Sequence, residues 1–166
     1  MKRVAVVGAG ISGLTAGYAL QKIGLKVDIF ERSQSITEFG AGITLSRNAT
    51  SLLKELGLME LLSKKGYFPM ASYIRDYKNA NVISAMKFDE SFITLDRRDL
   101  VEELAQSFEK IGGKIHYGTE VQSINPSSGA IQISDENINT YELILLSDGI
   151  KSVSYTHLTL PTNREV

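Results

Sequence analysis

Three glycines near the start of the sequence have the spacing of a dinucleotide-binding turn. Gly8, Gly10 and Gly13 follow a short apolar run and precede a stretch with helical periodicity. Glycines at these positions permit a tight turn and let a pyrophosphate come close to the N-terminus of the helix, whose backbone N–H groups carry partial positive charge. The spacing predicts that this turn binds the phosphates of a dinucleotide.

Glu31 adds a second feature to the glycine motif. It stands at the end of the next apolar run, where a carboxylate can accept hydrogen bonds from a ribose diol. A carboxylate here also disfavours a ribose 2′-phosphate, because two negative charges would meet. The motif therefore indicates NAD or FAD, and its spacing does not choose between them. The alternative is that the glycines serve only a tight turn and that Glu31 is an ordinary surface acid.

The elements around the motif form a β-α-β unit. Apolar runs over 3–7 and 26–30 predict strands, and apolar spacing over 11–23 predicts a helix that stops at Gly24. Two apolar strands joined by a helix pair in parallel, with a right-handed crossover. Gly17 removes side-chain bulk from the helix, which indicates close packing on the sheet and needs no ligand as its reason.

Beyond this unit the sequence predicts helices, a hairpin and further strands. After an irregular loop over 33–46, Asn48 is expected to cap a helix that ends at Gly57, and Asp96 another that ends at Gly112. The remaining predictions are a short helix over 58–65, a hairpin over 71–88 and strands over 114–117, 121–124, 130–134 and 141–146. This order predicts an α/β fold with a Rossmann-like parallel sheet and an antiparallel β excursion.

The composition is that of one ordinary globular domain. The 166 residues are 43% apolar and carry 18 basic and 19 acidic side chains, and no run of positive charge indicates nucleic acid or an anionic membrane as a partner. The lack of cysteine in the sequence excludes disulfides and thiolate chemistry and fits a reducing, cytoplasmic location. With two histidines and no long apolar run, we expect no metal cluster and no membrane span. A small molecule remains the expected partner, and no pattern indicates an oligomeric state.

Four segments of the sequence carry a family resemblance. They are, in order, VAVVGAGISGLTAGYALQKIGLKVDIFER, GAGITLSRNA, DRRDL and LLSDG. Together they resemble the N-terminal, FAD-binding half of FAD-dependent aromatic-ring-hydroxylase-type flavoprotein monooxygenases, over residues 1 to about 151. The resemblance implies an incomplete FAD/NAD(P)-binding fold, FAD as the bound cofactor and NAD(P)H as its reductant. Ser147 departs from the family, which more often has alanine before the Asp-Gly pair.

The resemblance also implies which residues contact FAD. The glycine motif would hold the pyrophosphate, Glu31 and Arg32 the adenosine end, and Gly42 with Ile43 the region near the flavin. Arg97 is expected near the pyrophosphate or the ribityl chain, since a guanidinium pairs with phosphate oxygens. The alternative for Arg97 is a solvated arginine in a first helical turn, where the helix dipole disfavours positive charge.

Two later positions complete the implied site. Val121 matches a position whose backbone contacts adenine, although its side chain is equally that of a strand valine. Asp148 matches an aspartate that helps hold FAD and is associated with NAD(P)H use. The full set of implied FAD contacts is Gly8, Gly10, Ile11, Ser12, Gly13, Glu31, Arg32, Gly42, Ile43, Arg97, Val121 and Asp148.

The implied reaction uses NAD(P)H to reduce FAD and molecular oxygen to hydroxylate a small organic, in particular aromatic, substrate. No catalytic acid, base or nucleophile is expected in this part of the enzyme, and neither His116 nor His157 has an evident partner in the sequence. Two alternatives stay open. One is another two-dinucleotide flavoprotein, such as an amine oxidase or a lipid-reducing flavoenzyme. The other is a non-catalytic dinucleotide-binding module.

The end of the sequence loses the family pattern. We expect residues 1–152 to be a fragment of an FAD-binding domain, with about 67–95 belonging to a substrate-domain-like β excursion. Family members continue past the Asp-Gly pair into further substrate-binding and FAD-contacting segments, so we expect the fragment alone to be inactive. From 153 the sequence reads VSYTHLTLPT, whose back-translation fits a transposase sequencing adapter. We expect the tail 153–166 to be non-native.

Overall fold

The computed structural model describes residues 2–36, 41–134 and 137–149. They divide into two compact units, which are the described parts of Met1–Thr37 with Leu104–Val166, and of Glu38–Glu103. The predicted tail over 153–166, with His157, lies outside the described residues.

The elements follow one another in a mixed order of strands and helices. They are β1 (Arg3–Val7), α1 (Ile11–Lys22), β2 (Lys26–Phe30), β3 (Gly42–Leu45), α2 (Arg47–Glu55), α3 (Met59–Ser63), β4 (Ala71–Arg75), β5 (Val82–Lys87), β6 (Ile93–Asp96), α4 (Arg97–Lys110), β7 (Lys114–His116), β8 (Ser123–Asn125), β9 (Ala130–Ser134), β10 (Asn137–Thr140) and β11 (Leu143–Leu146).

The first unit is built on a parallel sheet with the strand order β11-β1-β2-β7. Both β1 and β2 are buried along most of their length, which agrees with their continuous apolar runs, since a parallel sheet is covered on both faces. On one face, a Cβ at Gly17 of α1 would stand 2.8 Å from Ile29 Cδ1. The helix therefore packs closely on the sheet at this glycine, as predicted.

An antiparallel sheet, β10-β9-β8, packs against the other face of the parallel sheet. Its Ile131 lies in one buried cluster with Ala5, Val7, Phe30 and Tyr141. The combination of a Rossmann-like parallel sheet with antiparallel strands confirms the predicted fold class. Strand β10, Asn-Ile-Asn-Thr, was not predicted, because two asparagines and a threonine give a weak strand signal.

The second unit contains two separate antiparallel strand pairs, β3-β6 and β4-β5. The β4-β5 hairpin confirms a prediction. The predicted irregular loop over 33–46 is wrong for Gly42–Leu45, which forms strand β3 and pairs with Ile93–Asp96. Two four-residue strands so far apart in sequence carry no local period that would reveal their pairing.

The two predicted helix N-caps have different outcomes. The predicted cap at Asp96 is confirmed, because its Oδ1 accepts a hydrogen bond from Arg98 N at 2.8 Å at the start of α4. The predicted cap at Asn48 is wrong, because α2 begins earlier and has Ser46 at its N-cap position. Asn48 lies inside the helix, and its Oδ1 accepts a hydrogen bond from Ser46 Oγ. No helix among the described residues has the length and apolar character needed to cross a bilayer.

Candidate functional site

Two of the three motif glycines are required by the packing of the first unit itself. Gly8 has a φ of +102°, and a Cβ there would stand 2.5 Å from Ser147 O, just after β11. A Cβ at Gly13 would stand 2.0 Å from Gly8 O. Real Cβ atoms do not approach backbone oxygens so closely, so the turn between β1 and α1 closes only with glycine at both positions.

Gly10 has no such internal reason to be glycine. Its φ of −76° and ψ of −179° are extended values that any residue adopts, and a Cβ at this position would meet no atom of the described residues within 4 Å. Gly10 is the N-cap residue of α1, whose first turn contains no acidic residue. The open space therefore lies beside a helix N-terminus whose partial positive charge suits an anionic group. This arrangement fits the pyrophosphate of FAD.

The Glu31 carboxylate joins the glycine turn to the loop that follows β2. Its Oε2 accepts a hydrogen bond from Ala9 N at 2.8 Å, and its Oε1 accepts one from Ser33 N at 2.9 Å. Each oxygen of an ionised carboxylate can accept a second hydrogen bond, which leaves capacity for the hydroxyls of a ribose. Glu31 is thus more than an ordinary surface acid, because it fixes the turn that would hold the phosphates.

The other predicted residues of the first unit differ in burial. Ser12 and Arg32 are exposed, and Ile11 and Asp148 are half-buried. Asp148 follows Ser147, whose N–H donates to Val7 O at 2.8 Å, so the Asp-Gly pair lies next to the end of β1. The side chain of Val121 belongs to the buried core cluster, so only its backbone remains for contact with a ligand.

In the second unit, the structure brings together predicted residues that are far apart in sequence. Gly42 pairs with Asp96 across β3 and β6, and Arg97 N donates to Ala41 O at 3.2 Å. Ile43 follows on β3 and is half-buried, while the side chain of Arg97 is exposed at the first residue of α4. The GAGI and DRRDL segments therefore meet through an antiparallel pairing that the sequence did not predict.

Sequence reasoning missed a buried polar network around Asp28. This residue of β2 is only 4% exposed. Its Oδ2 lies 3.1 Å from Arg3 Nη2 and 3.2 Å from Tyr141 Oη, and its Oδ1 lies 3.4 Å from His116 Nε2. The interpretation of His116 as a residue without a partner is therefore wrong. The available signal was the single acidic residue inside the apolar run KVDIF.

The network shifts the pKa values of two of its members. Burial by itself would raise the pKa of Asp28, but hydrogen bonds from Arg3, His116 and Tyr141 outweigh it and lower the pKa below its ordinary value. Burial, together with the neighbouring Asp28 charge, raises the pKa of Tyr141 to about 12. Asp28 is thus held ionised and Tyr141 protonated at neutral pH. Among the described residues, no group of three or more His, Asp or Glu side chains could hold a metal ion.

Comparison with known proteins agrees with this geometry. A family model described as "FAD binding domain" matches residues 1–135. The chain is 32% identical over 162 residues to a putative 2-heptyl-3-hydroxy-4(1H)-quinolone synthase of Rhodococcus erythropolis, covering 96% of this chain and 42% of that protein. It is 26% identical over 164 residues to 6-hydroxynicotinate 3-monooxygenase of Pseudomonas fluorescens, covering 90% of this chain and 41% of that protein. The chain thus spans less than half the length of these relatives.

The fold is also that of a solved oxygenase. The crystal structure of a mutant 2-methyl-3-hydroxypyridine-5-carboxylic acid oxygenase superposes with a TM-score of 0.81 at 26% sequence identity, over 94% of this chain and 42% of that one. The predicted resemblance is thereby confirmed, with FAD as the cofactor of the family. The match over residues 1–135 shows that the chain belongs to the FAD binding domain family. The glycine turn and the hydrogen bonds of the Glu31 carboxylate agree with this assignment.

Proposed function

We propose that this chain is the FAD-binding part of an NAD(P)H-dependent flavin monooxygenase that hydroxylates a small aromatic compound. The observation that carries the proposal is the open space at Gly10, beside the N-terminus of α1. The packing of the described chain explains Gly8 and Gly13 but gives no reason for glycine at Gly10. Close approach of a pyrophosphate supplies that reason.

Each residue of the first unit has a separate task in this proposal. Backbone N–H groups at the start of α1, over 11–13, receive the pyrophosphate, and Ser12 offers its exposed hydroxyl there. Glu31 receives the ribose diol, while Arg32 and the backbone of Val121 lie towards the adenine. Asp148 completes the phosphate end, since the strand that precedes it is paired with β1.

In the second unit, Gly42 and Ile43 are proposed to lie near the flavin, and Arg97 near the pyrophosphate or the ribityl chain of the cofactor. The support is their placement beside one another on β3 and at the start of α4. Arg97 presents an exposed guanidinium that can pair with phosphate oxygens. The neighbouring Arg98 forms an ion pair with Glu102, with Nε 2.7 Å from Oε1.

Bound FAD would supply the redox chemistry, taking hydride from NAD(P)H and enabling oxygen transfer to the substrate. The chain's own residues bind and orient the cofactor, and we propose no catalytic acid or base among them. The relatives named above support a hydroxylated aromatic or nitrogen-heteroaromatic ring as the substrate class. The absence of cysteine from the sequence supports a reducing, cytoplasmic location.

The domain assignment is part of the same proposal. Residues up to 152 form the FAD-binding portion, and about 67–95 belong to a substrate-domain-like excursion. The second assignment is supported by the β4-β5 hairpin, whose residues are exposed on both faces apart from half-buried Ala71.

Replacement of Gly10 by valine tests cofactor binding separately from folding. Because a Cβ there meets no atom of the described residues, Gly10→Val should lower the free energy of unfolding by only about 1 kcal/mol, the cost of valine at an N-cap position. Its bulk would occupy the space of the pyrophosphate, so the dissociation constant for FAD should rise at least about tenfold. Flavin fluorescence titration measures the affinity, and urea denaturation measures the stability.

Ile23→Ala is the matched control, since Ile23 lies at the other end of the same helix and is 74% exposed. This variant should bind FAD as the unchanged chain does. Equal FAD affinity for the Gly10→Val and Ile23→Ala variants would contradict the proposed phosphate site.

The monooxygenase activity belongs to the longer enzyme of which this chain is proposed to be the FAD-binding part, so the test uses that enzyme. NAD(P)H oxidation is measured in air with a panel of hydroxylated benzoates, pyridines and quinolones, and mass analysis checks for a product that has gained one oxygen atom. If the longer protein binds FAD but never produces such a compound, the chain belongs instead to a non-catalytic binding module.

A further inference from the structure

The turn that follows β7 is hydrogen-bonded to Glu31 and its neighbours. Glu31 N donates to His116 O at 3.0 Å, and Thr119 N donates to Glu31 O at 2.8 Å. Gly118 N donates to Ser33 O at 2.9 Å. These three hydrogen bonds continue beyond the last paired residues of β2 and β7. The main chain of Glu31 is therefore held on both sides, by the last residue of β7 and by Thr119 of the turn.

Gly118 is the residue that permits this turn. Its φ is +64°, in the left-handed region that β-branched residues rarely adopt. A Cβ at Gly118 would stand 2.7 Å from both Nε2 and Oε1 of Gln34, so the amide of Gln34 lies directly against the glycine. The loop after β2 and the turn after β7 are thus in close contact at this point.

The Glu31 carboxylate depends on the same contacts. It bridges Ala9 N and Ser33 N, and Ser33 is itself the acceptor for Gly118 N. A displacement of the turn would move the main chain of Glu31 and one of the two donors to its carboxylate. The orientation of the carboxylate is therefore coupled to the conformation of Gly118.

We propose that Gly118 is a positioning residue for nucleotide recognition, because the left-handed turn that it permits holds the Glu31 carboxylate where it receives the adenosine ribose diol. This inference rests on the proposed function, namely that FAD binds at the glycine turn. Gly118 does not itself have to touch the cofactor. Its effect is exerted through Glu31, so it should appear specifically as recognition of the ribose hydroxyls.

The test uses the full chain and three ligands, namely FAD, ADP and 2′,3′-dideoxy-ADP, which lacks the diol. The informative quantity is the ratio of the dissociation constants for dideoxy-ADP and ADP, measured by calorimetry or by competition with FAD. A merely structural role would not alter this ratio. In the unchanged chain the dissociation constant for dideoxy-ADP should be at least about ten times that for ADP, because dideoxy-ADP cannot donate hydrogen bonds to the charged carboxylate.

Gly118→Val and Glu31→Gln should each reduce the ratio towards one. The double variant should have about the same ratio as Glu31→Gln alone, because both substitutions affect the same carboxylate. Gly118→Asn is the conservative variant, because asparagine tolerates the left-handed region, and it should retain most of the ratio. The matched control is Gly112→Val, since Gly112 also has a positive φ, +88°, and its nearest contact for a Cβ is Gln21 Nε2 at 3.7 Å. This control should lose stability yet keep the ratio.

The outcomes separate the inference from the proposed function. Should the unchanged chain bind neither FAD nor ADP, both would be overturned. If the unchanged chain binds FAD and the ratio of dissociation constants is the same in the Gly118→Val and Gly112→Val variants, the inference about Gly118 is overturned while the proposed function stands. If Gly118→Val does not fold, Gly118→Ala gives the same comparison with a smaller disturbance, and an unchanged ratio in that folded variant would likewise overturn the inference.

Discussion

The strand pairs β1-β2 and β4-β5 have similar apolar content but opposite burial. In β1 and β2, Val4 and Val27 are each 1% exposed, whereas in the hairpin Ile74 is 62% and Ile83 66% exposed. The parallel pair has α1 on one face and the β9 region on the other, while the hairpin residues face solvent on both sides. Apolar content by itself therefore does not determine burial; the layers packed on each face do.

The two pairs are also held together by different interactions. The hairpin depends on its turn, where Asp76 Oδ1 accepts hydrogen bonds from Lys78 N at 2.8 Å and Asn79 N at 3.2 Å, and Ala80 adopts a φ of +59°. Two strands without a covering layer are marginally stable in water. Core substitutions should therefore affect the parallel pair far more than the hairpin.

The largest effect is expected at Ile29, which is fully buried and packs against α1 at Gly17. Ile29→Ala should lower the free energy of unfolding by about 2–5 kcal/mol, because it removes buried methyl groups and leaves a cavity. Chemical denaturation followed by circular dichroism measures the loss. A loss below ~1 kcal/mol would show that this part of the sheet is not tightly packed.

A smaller effect, dependent on pH, is expected at Asp28. Asp28→Asn should cost about 1–3 kcal/mol at neutral pH, since it removes the charge that accepts hydrogen bonds from Arg3 and Tyr141. Because folding lowers the pKa of Asp28, the unfolded chain takes up the proton first as the pH falls. The stabilisation is therefore present above the ordinary pKa of 3.8 and is lost as the pH falls through the folded pKa.

Unfolding curves of the unchanged chain and the Asp28→Asn variant over this acidic range provide the measurement. Their difference should shrink as the pH falls. A difference that stays constant would mean that the Asp28 charge contributes nothing to stability.

The smallest effect is expected in the hairpin. Ile83→Ala should change the free energy of unfolding by no more than ~0.5 kcal/mol, because the side chain is already exposed. The same denaturation experiment makes the measurement, with Ile29→Ala as the comparison. A loss as large as that of Ile29→Ala would mean that another part of the protein or a partner covers the hairpin.

The features that were predictable from the sequence are local. The turn between β1 and α1, the position of Glu31 directly after β2 and the cap at Asp96 each depend on a few neighbouring residues. The types and spacing of these residues were therefore sufficient to predict their places in the fold. The β3-β6 pairing and the contact between Asp28 and His116 were not predictable in this way. Asp28 and His116 are 88 positions apart, and only the parallel pairing of β2 with β7 brings them together.

The parallel pairing of β1 with β11 also sets the order in which the protein is completed during synthesis. Val4 to Val7 leave the ribosome first, but their partners, Leu143 to Leu146, are among the last described residues to be made. Ser147 then lies against Gly8, so the glycine turn between β1 and α1 is complete on one side only when the opposite end of the described chain has docked. Contacts of such high sequence separation form late and slowly. A nascent chain therefore carries the complete glycine motif long before it has the finished turn.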